Sequence, residues 1–190
     1  NKPTMGGLYQ HFTAIADAVS IPGILYNVPS RTALNMDAAT TLRLADVPNI
    51  VGVKEASSDP DQIAYVIKDS PEGFRVWSGN DNEILSTMAM GGYGIVSVAG
   101  NIISGQIQKM IGLLLEGDAE AAAAEHLRLL PIFNALFYIT NPIPIRYAMN
   151  RSGFSVGPAR LPMVPEPSEL AVFSAKFDPI MDQYAIDLAD

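Results

Sequence analysis

The residue in this sequence best placed to do chemistry is a lysine that closes an apolar run. Lys54 ends "NIVGVK" and is followed by "EA". Side chains alternate along a strand, so Ile50, Gly52 and Lys54 share one face, and Val51, Val53 and Glu55 the other. If the valines face covering helices, Lys54 points into the interior, with room left above Gly52. Glu55 points away and is not its default partner. A lysine in an enclosed apolar site resists protonation, and its pKa falls from about 10.4. The neutral amine can then attack a ketone and form a Schiff base. A lysine that has simply left its strand for solvent would show the same pattern. Tyr26 closes a second apolar run, "IPGILY", and begins "YNVPSRT". Neighbouring strands lie about 4.8 Å apart, so its phenol is within reach of the amine and could relay protons. A core tyrosine with a satisfied hydroxyl is the plainer alternative. Arg31, just past Pro29-Ser30, suits bidentate capture of a carboxylate, or else is a solvated loop arginine.

These residues need a frame that puts strand ends side by side. Short β-branched runs occur at Ile24–Tyr26, Ile50–Val53, Phe74–Trp77 and Ile95–Val98, with helical patterns between them. Leu8, Phe12, Ile15, Ala16 and Val19 fall on one helical face. Asp37 and Asp59-Pro60 read as helix starts. Ile84, Leu85 and Met88 mark a helix that "GGYG" ends, and Ser104 opens another. Alternation of this kind predicts βαβ units and a parallel sheet covered on both faces. The reactive ends are then the C-terminal ends of the strands. "GGYG" precedes the fourth run, so it lies at the opposite end and is not a phosphate cradle. After Leu115 the sequence predicts helices only: one from Asp118 through Phe137 with Pro131 inside, one at "NPIPIRYAM", and a last one over Phe173–Leu188. Four strands are half of what a (β/α)8 barrel needs. The alternatives are a small open sheet or the back half of a barrel, and "NKPTMGG" reads as the interior of a longer sequence.

Composition narrows the function classes. The chain has 190 residues, 48% hydrophobic and 17% charged, enough for a large core. A net charge of −8 with no basic run argues against nucleic acid and anionic membrane surfaces. With no cysteine there is neither disulfide nor thiolate chemistry, which fits a reducing compartment. His11 and His126 lack ligand spacing, so no metal is expected. The charge-free stretches Ile84–Gln108 and Leu129–Ile145 are broken by glycines and prolines, which predicts soluble core rather than membrane.

Taken in order, "YNVPSRT", "VGVKEAS", "SGND", "GGYGIVSVAGN" and "NPIPIRYAM" resemble the dihydrodipicolinate synthase family. The resemblance implies a (β/α)8 TIM barrel, of which this chain supplies strands five to eight over residues 1–116, followed by a C-terminal helical region over residues 117–190. It also implies a cytoplasmic homotetramer and a lyase of diaminopimelate and lysine biosynthesis. That lyase condenses pyruvate with aspartate 4-semialdehyde to give 4-hydroxy-tetrahydrodipicolinate. Lys54 would form the Schiff base, Tyr26 would shuttle protons, and Arg31 would bind the semialdehyde carboxylate. Gly79 and Val96 would line the pyruvate pocket, with no metal and no cofactor. The family's relay threonine, its second tyrosine and the two hydroxyl residues of its pyruvate-carboxylate loop belong to the front half, so the barrel's N-terminal half would be a partner of this chain. Asn80 stands where an aspartate is usual. Sister pyruvate lyases, such as N-acetylneuraminate lyase or 2-keto-3-deoxy-sugar-acid aldolases, share the tyrosine and lysine but do not usually carry an arginine at position 31. A third expectation is an inactive half-barrel.

Overall fold

The computed structural model describes residues 2–184 and 186. Its contacts separate two compact units, Asn1–Val96 and Ser97–Asp190.

The first unit is a parallel sheet with helices between its strands. In chain order come α1 (Met5–Ala18), β1 (Gly23–Asn27), α2 (Pro29–Thr32), α3 (Ala38–Ala45), β2 (Ile50–Glu55), α4 (Pro60–Asp69), β3 (Arg75–Ser78), a 3-10 turn (Asp81–Glu83), α5 (Ile84–Ala89) and β4 (Gly94–Ile95). The strands lie in the order β1-β2-β3-β4, each pair parallel. The expected helix starts are present. Asp37 accepts from Thr40 N at 2.8 Å, and Asp59 from Gln62 N at 3.0 Å with Pro60 in the first turn. Each such cap contributes about 1 kcal/mol to its helix. Leu25, Val53 and Val76 are buried on one sheet face with Leu44 and Val66 from α3 and α4, and Leu8, Phe12 and Ala16 of α1 reach the same cluster. Ile15 and Val19, expected on that face of α1, are 48% and 45% exposed. The contact stripe is the narrower i, i+4 row, and Val19 already has extended backbone beyond the helix.

Two further expectations differ. The apolar strands predict cover on both faces, yet this unit's own helices cover only one. Ile24 and Tyr26 on the other face are 50% and 48% exposed. The fourth strand is also shorter than expected: only Gly94–Ile95 pairs with β3, although Val96 N still donates to Ser78 O at 3.0 Å. "GGYG" does terminate a helix at the N-terminal end of β4. Gly91 takes φ +103°, a conformation open to glycine, and Gly92 N donates to Thr87 O.

Gly52 shows how closely the strands fit beneath Lys54. It pairs with Arg75 across β2 and β3. A methyl group there would run into the Arg75 carbonyl oxygen and come within 2.5 Å of a Trp77 ring carbon. The space expected above Gly52 is therefore taken by the Trp77 ring. Gly52→Ala is expected to destabilise this chain by about 1–3 kcal/mol, because the obstacle is backbone and cannot rotate away. A lower urea midpoint at unchanged slope would show it; an unchanged midpoint would mean that β3 yields freely.

The second unit is helical: α6 (Gly100–Leu115), α7 (Ala119–Ala135), α8 (Ile143–Arg151), α9 (Pro167–Met181) and a 3-10 turn at Asp182–Tyr184. α6 begins at Gly100 rather than Ser104, with a break at Ile103 (φ −134°, ψ 35°) that explains why the regular pattern reads from Ser104. α6 packs on α7, and α7 on α9, around Ile107, Met110, Leu129, Ile132, Phe133 and Phe177. Asp118 caps α7, which runs through Pro131 but stops at Ala135, before Phe137. α9 begins at Pro167, earlier than expected, because Glu166 and Glu169 form a reciprocal capping box. Leu188, the expected end of the last helix, lies outside the described residues. Among the described residues no helix is long and apolar enough to cross a membrane.

Candidate active site at the strand ends

The sheet register fixes the site. Tyr26 pairs with Lys54, and Lys54 with Trp77, so all three project from the open face at the C-terminal ends of neighbouring strands. Alternation sends Asn27, Glu55 and Ser78 to the helix-covered face, where they are 3%, 0% and 0% exposed. Lys54 therefore stays on the sheet rather than leaving it for bulk solvent.

Lys54 Nζ lies 4.3 Å from the centroid of the Tyr26 ring. The expectation that phenol and amine meet holds for the ring: the contact is amine over face, not amine to hydroxyl. A ring face favours the ammonium by about 0.5–2 kcal/mol. Burial acts the other way. Desolvation pushes the Lys54 pKa below the ordinary lysine value, and the Asp81 carboxylate pulls it partly back. Asp81 sits in the 3-10 turn after β3 and is buried. Its charge raises the Lys54 pKa, so its removal lowers it. Asp81→Asn is expected to move the midpoint of Lys54 labelling by an amine-selective reagent to lower pH. A midpoint that stays or rises would remove Asp81 from the balance.

Gly79 closes the other side of the lysine. Its N–H donates to Glu55 O at 2.7 Å. A methyl group on it would stand 3.1 Å from Lys54 Cε and 2.7 Å from the Ala56 methyl. Tyr26, Lys54 and Gly79 thus converge. Val96 is held beside β3 by its backbone, with its side chain 41% exposed. Arg31 lies in α2, a single turn that starts at Pro29 and ends on Ala33 in the left-handed region (φ 55°), where sequence reading sees only a loop. Asn80 donates its amide to Glu83 Oε2 at 3.0 Å and to Ser58 Oγ at 3.2 Å, contacts an aspartate could not donate.

Sequence reasoning missed two residues around Lys54: its register partner Trp77, and Asp81, whose charge acts on the amine. Trp77 was legible as the in-register residue one strand over. Asp81 had a weaker signal, a carboxylate three residues beyond a strand end.

A cleft of about 320 Å³ runs beside Tyr26 and is lined by Leu8, Phe12, Val28, Leu34 and Met36. A larger cavity of about 880 Å³ lies in the second unit among Tyr138, Ile143, Met163, Val172 and Phe173. None of the strand-end residues lines it, so size does not decide the site. The convergence of an amine of lowered pKa, a phenol and a glycine does.

Known proteins resemble this chain over most of its length. Residues 1–172 match the Dihydrodipicolinate synthetase family. A Symbiobacterium thermophilum protein named 4-hydroxy-tetrahydrodipicolinate synthase is 55% identical over 165 residues, covering 86% of this chain and 56% of that protein. One of the same name from Dehalococcoides mccartyi is 49% identical over 188 residues, covering 99% of this chain and 62% of that protein. Among solved structures, dihydrodipicolinate synthase from Aquifex aeolicus superposes with a TM-score of 0.92 at 37% identity, over 100% of this chain and 64% of that one. The enzyme from Cyanidioschyzon merolae, solved with lysine bound, gives 0.91 at 39% identity, over 96% and 61%. The chain thus spans more than half, but less than two thirds, of the length of these relatives. On the family match over residues 1–172 and on these identities, the chain belongs to the dihydrodipicolinate synthetase family.

Proposed function

We propose that the complete protein is a Schiff-base lyase that condenses pyruvate with aspartate 4-semialdehyde to give 4-hydroxy-tetrahydrodipicolinate, in diaminopimelate and lysine biosynthesis. The observation that carries this reading is the Lys54 amine, its pKa lowered by burial, set over the Tyr26 ring at the C-terminal end of a parallel sheet. The names of the relatives support it.

In this reading the neutral Lys54 amine attacks C2 of pyruvate and forms a C–N bond. The carbonyl oxygen takes up two protons in turn and leaves as water, giving an iminium. Tyr26 hands those protons on, as a phenol at the strand end can. Loss of a methyl proton gives the enamine, whose carbon attacks the aldehyde; ring closure onto the substrate amine then releases Lys54. Gly79 and Val96 line the pyruvate site, and Arg31 grips the carboxylate of the semialdehyde. The covalent bond to pyruvate serves where other lyases use a cofactor or a metal.

We place the chain as strands five to eight of a (β/α)8 barrel, residues 1–116, with residues 117–190 as the C-terminal helical region. The open sheet face around Ile24 and Tyr26 would be covered by the N-terminal half of the barrel. The complete protein would work as a cytoplasmic homotetramer. The isolated 190 residues would show no turnover, because the sheet face that carries the chemistry is half bare.

The test is reduction with borohydride in the presence of pyruvate, followed by peptide mass analysis of the complete protein. A pyruvate-derived adduct at Lys54 and nowhere else is expected. No adduct there would sink the mechanism.

A further inference from the structure

The covered face of the sheet changes character at its C-terminal edge. Leu25, Val53 and Val76 are aliphatic and buried; one step of the alternation further on, the same face carries Asn27, Glu55 and Ser78. Aliphatic side chains would fill that space at lower cost, since a carboxylate withdrawn from water must recover its hydration from hydrogen bonds. Glu55 recovers it from neutral donors. Asn27 Nδ2 donates to Glu55 Oε1 at 2.9 Å and Oε2 at 3.2 Å, Gln62 Nε2 to Oε2 at 3.2 Å, and Ser57 N to Oε1 at 2.8 Å. Asn27 is engaged on its other side as well. Its Oδ1 accepts from Met36 N at 3.0 Å, and its Nδ2 reaches Asn35 Oδ1 at 2.8 Å and Met36 O at 3.3 Å. Asn35 and Gln62 close the ring, with Asn35 Nδ2 to Gln62 Oε1 at 2.8 Å.

This network joins β1, β2, α4 and the segment that follows α2. Tyr26 and Lys54 each precede one of its two central members by a single residue, and alternation puts them on the opposite face. Fixing Asn27 and Glu55 therefore fixes the height and rotation of the phenol and the amine, just where the strand ladder runs out. A fully satisfied buried network is rigid, and a half-satisfied one is not.

We propose that Asn27 and Glu55 are positioning residues whose buried hydrogen-bonded clamp holds Tyr26 and Lys54 in register and ties them to the segment following Arg31's turn. Its catalytic consequence rests on the Schiff-base reading above; its geometric consequence does not.

The test uses three variants of the complete protein: Glu55→Gln, Asn27→Asp, and the two combined. Glu55→Gln sets amide against amide, and Asn27→Asp sets carboxylate against carboxylate. The double variant restores a donor facing an acceptor with the roles exchanged. Two quantities are read: kcat with KM for pyruvate, and the pH midpoint of Lys54 labelling by acetic anhydride, which needs no pyruvate. Each single variant is expected to lower kcat on the order of 10²-fold, the cost of a roughly 1 Å misplacement, with KM for pyruvate little changed. Each is also expected to raise the Lys54 midpoint as water reaches the amine. The sign is informative for Glu55→Gln, because loss of a negative charge alone would lower the midpoint. The double variant is expected to recover part of both changes, because the new carboxylate at position 27 still faces Met36 O while the contact to residue 55 is restored. Single variants that lose thermal stability but keep wild-type kcat and midpoint would overturn the proposal, leaving the clamp as packing. A folded double variant no better than the singles would overturn it too. If a single variant fails to fold, Asn35→Ala, which removes only the exposed member, must shift both quantities the same way or the proposal fails. A wild-type protein without a pyruvate adduct defeats the Schiff-base reading, while the labelling midpoints still decide the clamp.

Discussion

Lys54→Ala in the complete protein is expected to abolish the borohydride-trapped pyruvate adduct and to cut turnover by about 10⁴–10⁶-fold, the range for removing one member of a catalytic group that acts as a unit. The size of the effect follows from the division of labour at the strand ends. Among the residues that converge there, the amine is the group that can form the covalent bond; Tyr26 and Gly79 can only move protons or make room. Lys54→Arg should fare no better. A guanidinium stays charged at any working pH and has no free lone pair, so the burial that lowers the lysine pKa gains it nothing. The fold should survive either change. Lys54 lies on the open face, and the cluster around Val53, Leu44 and Val66 on the other face does not include it. The thermal midpoint should therefore move little. An adduct persisting elsewhere in Lys54→Ala, or turnover within tenfold of wild type, would assign the chemistry to another residue.

What could be read from the sequence was the part set by alternation and turn chemistry. Lys54 and Tyr26 could be placed on one face of adjacent strands because the side-chain period is two and both close apolar runs. Asp37, Asp59 and Asp118 announce their helices because a short carboxylate before an apolar pattern satisfies a free backbone N–H. What was not legible depends on packing across the sheet. Nothing local says that Trp77 fills the space above Gly52, or that Asp81 comes near enough to hold the Lys54 pKa up. The first turn of α6 was hidden for another reason: Ile103 leaves helical backbone, so the regular pattern starts only at Ser104 although the helix begins at Gly100. Glu55 is the instructive case. Alternation correctly turns it away from Lys54. Its partners come from Asn27 on another strand and Gln62 on the following helix, so its burial is a tertiary fact. The bare second face of the sheet was not legible either: the apolar strands read as covered on both faces, and this unit's own helices cover one.

Arg31→Ala is expected to lower kcat/KM for aspartate 4-semialdehyde by about 10²–10³-fold while leaving the rate of pyruvate trapping at Lys54 within about twofold. The first figure corresponds to about 3–4 kcal/mol, within the range for truncating one partner of a hydrogen-bonded charge pair. The second follows from placement. Arg31 sits in α2, beyond the strand end, whereas the residues that meet the amine are Tyr26 and Gly79. Pairing the variant with a second aldehyde makes the test specific. An aldehyde of similar length that lacks the carboxylate should be used poorly by the wild-type protein and no worse by Arg31→Ala, because the interaction has already been removed from the substrate side. Arg31→Lys should recover part of the loss, since a single ammonium keeps the charge but not the two-pronged grip. Equal loss of pyruvate trapping and semialdehyde use would instead make Arg31 a support for the α2 turn. Undiminished semialdehyde use would take Arg31 out of substrate recognition. Lys54 would then still carry the chemistry, and residue 31 would no longer choose the second substrate.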